Sequence, residues 1–270
     1  MESSVPSDAL DVPPEHALFV VDMKGYSQIP EARMAPARLD LDDILVTVFD
    51  QSGLKDIEAV KDTGDGGIFV LPTRHLARLV DPLLGHLDAA LARYDRMRLA
   101  SAPTIRLRAS VHVGPLSPSS HRGDAINEAC RLVESQAVRQ AMTAAVESGV
   151  FLAAVVSETA FRRTVHAGRT PRLDGHQFLL ATARVEGKQD FEEACRLLVP
   201  GVTPTVLSTY LTAAEREIAS PSRRSAGQRD TGSNGDGESQ GVVKQKAKAS
   251  GHARIVQVGR DQNTIRPEGK

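Results

Sequence analysis

No stretch of this sequence limits its fold more than residues 60–71, Val-Lys-Asp-Thr-Gly-Asp-Gly-Gly-Ile-Phe-Val-Leu. Gly-Asp-Gly between two apolar segments is the signal of a tight β-hairpin turn. Such a turn holds Asp65 at its tip, where a carboxylate can meet a metal ion. Upstream, the apolar residues Ala17 to Val21 run straight into Asp22, followed by Met23-Lys24-Gly25-Tyr26-Ser27. An apolar run that short reads as a buried strand with Asp22 at its end. Two aspartates at strand ends suit hard, oxygen-loving cations such as Mg²⁺ or Mn²⁺. Asp-Gly is also a common plain turn, so neither aspartate decides the matter alone.

The rest of the chain alternates strands with helices. Leu41, Ile44, Leu45, Val48 and Phe49 have helical spacing, in a helix running from Pro36 and ending at Gly53. Residues 57–60 and 68–71 form the hairpin around Asp65. Residues 75–95 read as a helix, with Pro82 a kink or first-turn residue. Residues 105–113 alternate apolar positions with Arg106, Arg108, Ser110 and His112, which is a strand with one buried face. His112 falls opposite that face and reads as structural. A helix is expected over 124–147, a buried strand over 150–156, a short helix capped by Ser157, and late strands over 179–185 and 195–199. The order β-α-β-β-α-β, with additions, predicts a ferredoxin-like α+β sheet layered with helices.

Composition divides the 270 residues unevenly. Residues 15–202 can bury a core and form one domain. Residues 1–14 read as a disordered lead-in, 203–250 as a helical extension and flexible linker, and 251–266 as a separate motif. A net charge of −1 argues against a nucleic-acid binder. Cys130 and Cys195 show no metal spacing and read as buried free thiols. No apolar run approaches a membrane span, and the acidic start is not a secretory signal, so a cytoplasmic protein without membrane contact is expected.

Four motifs in order carry a resemblance. Asp22-Met23-Lys24-Gly25-Tyr26-Ser27 resembles the first metal motif of class III nucleotidyl cyclases, commonly Asp-Ile-x-Gly-Phe-Thr. Residues 61–65, Lys-Asp-Thr-Gly-Asp, resemble their Lys-x-x-Gly-Asp hairpin. Residues 105–114 are similar to their Arg-x-Gly-Ile-His-x-Gly strand, with Arg108, His112 and Gly114 in register and Ser110 replacing a glycine. Residues 123–131 resemble their Gly-x-x-Val-Asn-x-Ala-x-Arg helix.

The resemblance implies a class III cyclase fold and a reaction: a nucleoside triphosphate becomes a 3′,5′-cyclic nucleotide and pyrophosphate. It implies two Mg²⁺ or Mn²⁺ ions per site on Asp22, Asp65 and the Met23 carbonyl. It gives Asn127 the ribose and Arg131 the α-phosphate; four apart, they share a helix face. It implies a head-to-tail homodimer, with metals from one subunit and the Asn–Arg pair from the other. Lys61, with Ser120 facing it, would read the base. Lysine disfavours GTP more firmly than it selects ATP, so ATP is favoured and UTP or CTP remain alternatives. One departure stands out. The family's late triphosphate lysine lies in Val-Lys-Gly, whereas this chain has Val185-Glu186-Gly187-Lys188, leaving Lys188 to substitute. A catalytically inactive dimerising module is the other reading, against which the intact Asp22, Asp65, Asn127 and Arg131 argue. A diguanylate cyclase is disfavoured, because its Gly-Gly-Asp/Glu-Glu-Phe signature is absent.

In the tail, Ile255-Val256-Gln257-Val258-Gly259 resembles the Ile/Val-Gln-Ile/Val-Gly core of RIP-homotypic-interaction-like amyloid motifs. That implies a partner carrying a like segment, in antiviral or conflict signalling. A disordered tail with a chance apolar cluster is the other reading.

Overall fold

The computed structural model describes residues 12–117, 123–212 and 216, apart from the side chains of Lys61, Asp62 and Gln189. Ser120 and the motif at 255–259 lie outside the described residues. The apolar runs pair into a single seven-stranded sheet. In chain order its strands are β1 (Glu15–Met23), β2 (Glu58–Asp62), β3 (Gly66–Pro72), β4 (Leu107–Pro115), β5 (Leu152–Ser157), β6 (Leu179–Val185) and β7 (Lys188–Leu198). Their spatial order is β2-β3-β1-β4-β5-β7-β6. β4 and β5 are parallel; every other neighbouring pair is antiparallel. With helices on both faces this is the expected α+β architecture.

Side-chain alternation along β1 assigns the two faces. Phe19, Val21 and Met23 pack with Leu41 and Leu45 of α1 (Glu31–Gln51) and Leu83 and Leu87 of α3 (Leu83–Met97). Leu18 and Val20 pack instead with Ala125, Ala129 and Val133 of α4 (Asp124–Glu134). Further along the sheet, Ala153 and Val155 meet Val138, Ala141 and Met142 of α5 (Gln136–Glu147). The period of two therefore puts Asp22 on the α4 side and the Met23 side chain in the opposite core. The packed region continues past residue 202, since Leu207 of α7 (Pro204–Ser208) and Leu211 join the α5 core.

Several boundaries differ from the sequence expectation, each for a local reason. α1 begins at Glu31 and carries Pro36 inside it. The helix expected over 75–95 is two, α2 (Leu76–Val80) and α3, separated at Asp81-Pro82. Proline lacks the N–H a continuing helix needs, and its ring crowds the preceding turn. The helix expected over 124–147 is also two. Ser135 takes an extended conformation between α4 and α5, and its hydroxyl accepts the Val138 N–H at 3.4 Å to cap α5. Ser157 caps α6 (Glu158–Arg163) as expected, accepting the Ala160 N–H at 3.2 Å. The last strand starts at Lys188 rather than Cys195. Only Cys195 to Leu198 pair with β5; the earlier part pairs with β6 alone and carries a polar sequence.

His112 corrects a second expectation. β4 is central and buried on both faces, because α4 covers the side the sequence left open. His112 is only 7% exposed, with Nε2 3.0 Å from the Glu128 carboxylate. Burial lowers its pKa, and Glu128 opposes that shift. Neither cysteine is in a disulfide: Cys195 is buried, and Cys130 is half-buried rather than buried. Burial pushes the Cys195 thiol up to about 12.

Candidate active site

Asp22 is placed by strand register. It stands opposite Gly66 of β3 on one side and Arg108 of β4 on the other. The β2–β3 turn then carries Asp65 back over the end of β1, where the Met23 N–H donates to the Asp65 carbonyl at 2.8 Å. Gly66 makes that approach possible. A Cβ there would fall 1.8 Å from the Val21 carbonyl oxygen, so no side chain fits. From α1, the Arg38 guanidinium donates to the Gly66 carbonyl and ties the hairpin down.

The Asp22 carboxylate meets two charges. Arg108 donates to its Oδ2 through Nε at 2.7 Å and again through Nη2. The Asp65 carboxylate is also near enough to push the Asp22 pKa upward. Burial is the largest influence and also raises it; Arg108 pulls it down but does not win. Among the described residues no cluster of three or more His, Cys, Asp or Glu could hold a metal ion. Two carboxylates with a nearby main-chain carbonyl nevertheless fit a hard divalent ion, which keeps water or phosphate in its remaining positions.

The other expected residues lie elsewhere on the same chain. Asn127 is exposed and Arg131 half-buried, on α4. The Arg131 guanidinium sits over the Phe191 ring of β7, 5.5 Å from its centroid. Lys188, at the start of β7, has its ammonium 3.4 Å from Glu134 of α4 in an exposed pair. Neither Asn127 nor Arg131 lines the cavity that opens beside the aspartates. That cavity is lined instead by Lys24, Gly25, Gln28, Arg108, Arg139 and Met142. Lys61 stands in β2 opposite Ile68, just after a register shift in the β2–β3 pairing.

The sequence reading gave Arg108 no role of its own and did not see Arg139. Arg108 could have been noticed, because it stands in a motif. Nothing in the sequence around Arg139 points to a site.

No family model matches this sequence, and no curated protein matches it. Among solved structures it is similar to an adenylate/guanylate cyclase/hydrolase from Silicibacter pomeroyi, at 19% identity and a TM-score of 0.47, over 70% of this chain and 98% of that one. It is also similar to a bacterial light-regulated adenylyl cyclase, at 15% identity and a TM-score of 0.45, over 73% and 98% of the two chains. A third is the catalytic core of a rhodopsin-guanylyl cyclase with converted specificity, in complex with ATPαS, at 15% identity and a TM-score of 0.43, over 70% and 97%.

Proposed function

We propose that this chain is a nucleotidyl cyclase acting on a nucleoside triphosphate. The ribose 3′-oxygen bonds to the α-phosphorus and loses its proton, the bond to the β-phosphate's bridging oxygen breaks, and pyrophosphate leaves. The observation that carries this reading is the meeting of Asp22 and Asp65 beside a cation-lined cavity. Asp22, Asp65 and the Met23 carbonyl would hold Mg²⁺ or Mn²⁺, two per site, which when bound neutralise phosphate charge and acidify the 3′-hydroxyl.

The residues of the chain do the rest. Arg108 holds the Asp22 carboxylate in one orientation through two hydrogen bonds. Arg131 is suited to the charge that builds on the α-phosphate, because guanidinium stays charged and presents fixed donors. Asn127, one helical turn earlier, would orient the ribose. Lys61, Ser120 and Lys188 complete the substrate contacts in this reading, with ATP favoured over UTP or CTP and GTP disfavoured.

Because the Asn127–Arg131 face lies apart from the aspartate cavity, one chain makes two half-sites. A head-to-tail homodimer joins the metal half of one subunit to the Asn–Arg half of the other. Two measurements test this. Purified protein with Mn²⁺ and each nucleoside triphosphate should yield a cyclic mononucleotide by mass spectrometry; no product from any of the four removes the enzymatic reading. Inactive Asp22→Ala and inactive Arg131→Ala proteins should regain up to about a quarter of parental activity when mixed, since half of randomly exchanged dimers hold one intact site of two. A mixture that exchanges subunits yet stays inactive rules out the shared site.

A further inference from the structure

The cavity beside Asp22 has a volume of about 240 Å³, and three of its six lining residues are cationic. Lys24 follows β1, Arg108 comes from β4 and Arg139 from α5. Arg108 is taken up by Asp22. Lys24 and Arg139 make no ion pair with any described carboxylate. Two uncompensated cations facing one cavity repel each other unless an anion enters between them. The Arg139 Nε donates to the Glu134 carbonyl at 2.9 Å, which anchors the guanidinium while leaving its outer nitrogens as donors.

We infer that Arg139, with Lys24, seats the terminal phosphates of the substrate on the metal-bearing half of the site. The inference rests on the cyclase reading and adds to it a residue outside every motif. Size selects the ligand: pockets for whole drug-sized molecules run to about 300–1,000 Å³, so this smaller one takes a phosphate chain and not a complete nucleotide. Charge selects it too, since a forked guanidinium and a point-charge ammonium together suit adjacent phosphate groups. The arrangement also answers the departure at Glu186. The position where a triphosphate lysine is expected carries a carboxylate, and Lys188 leans on Glu134 at the Asn–Arg half. Arg139 supplies a cation to the same phosphates from the opposite half.

The first test is binding of inorganic tripolyphosphate to the full chain in the presence of Mn²⁺, by calorimetry. Arg139→Ala and Arg139→Gln should each weaken binding about tenfold or more, the usual loss when a charged hydrogen-bond donor is removed. Arg162→Ala, which removes an exposed pair with Glu158 and does not line the cavity, should change it by less than about twofold. Unchanged tripolyphosphate affinity in both Arg139 variants, with the fold intact by circular dichroism, overturns the inference. Subunit mixing then locates the residue. Arg139→Ala mixed with Arg131→Ala should regain turnover, because one site keeps both halves intact. Arg139→Ala mixed with Asp22→Ala should not, because both defects fall on the metal half. The reverse pattern overturns the inference. Arg139-dependent tripolyphosphate binding in a parent protein that forms no cyclic product would remove the cyclase reading and leave the phosphate seat standing.

Discussion

Asp65→Ala should lower cyclic nucleotide formation by roughly 10³-fold or more, the scale of removing a principal electrostatic element from an active site. The fold should survive. The turn at Asp65 is held by its backbone carbonyl, which the substitution leaves in place on the Met23 N–H. Removing the carboxylate also relieves its repulsion of Asp22, whose pKa Asp65 helps to raise. The thermal midpoint should therefore hold or rise slightly. Asp22→Ala is the less clean experiment, because it strands the half-buried Arg108 guanidinium without its carboxylate. An Asp65→Ala protein that turns over as fast as its parent, and binds Mn²⁺ as tightly, would remove Asp65 from the site.

Gly66→Ala should be the most damaging single-methyl change in the sheet. The added Cβ would lie 1.8 Å from the Val21 carbonyl oxygen and 2.7 Å from its carbon, both main-chain atoms of the central β1. No rotamer relieves such a clash; β1 and β3 must separate, at a cost above the usual overpacking range of about 1–3 kcal/mol. Gly64 provides the comparison. It takes φ +85° in the same turn but has nothing within 4 Å of a Cβ. Gly64→Ala should then cost only the left-handed conformation, about 1–2 kcal/mol. Urea unfolding of the two variants measures the difference, and equal midpoints would contradict the register of β1 against β3.

The parts of the site that were legible in the sequence are those written in local patterns. Asp22 at the end of an apolar run and Asp65 in a Gly-flanked turn announce themselves by their neighbours. Arg108 on Asp22 is a contact between residues 86 apart, and only the pairing of β1 with β4 creates it. Arg139 owes its place to the break between α4 and α5. A single helix over 124–147 would keep it on one axis with Arg131, whereas the break at Ser135 lets α5 take its own direction and bring Arg139 to Lys24. That break could have been read, since serine before a helix start is a capping signal. The second burial of β4 could not, because its covering comes from α4, and His112 carries no local mark of it. Lys61 and Ser120, proposed to read the base, have their side chains outside the described residues.

The two aspartates proposed to hold the metal stand on backbone of very different firmness. Asp22 is on β1, hydrogen-bonded to a strand on each side, and its neighbours Val21 and Met23 are almost wholly buried. Asp65 hangs on a hairpin whose outer strand, β2, is the edge of the sheet and has a register irregularity. Deuterium should therefore enter the Val20 and Val21 amides only in molecules that unfold altogether, while the β2–β3 turn exchanges through small local openings. If Asp22 and Asp65 hold Mn²⁺ as proposed, adding Mn²⁺ should slow exchange in the hairpin and leave β1 unchanged, a mobile jaw closing onto a fixed one.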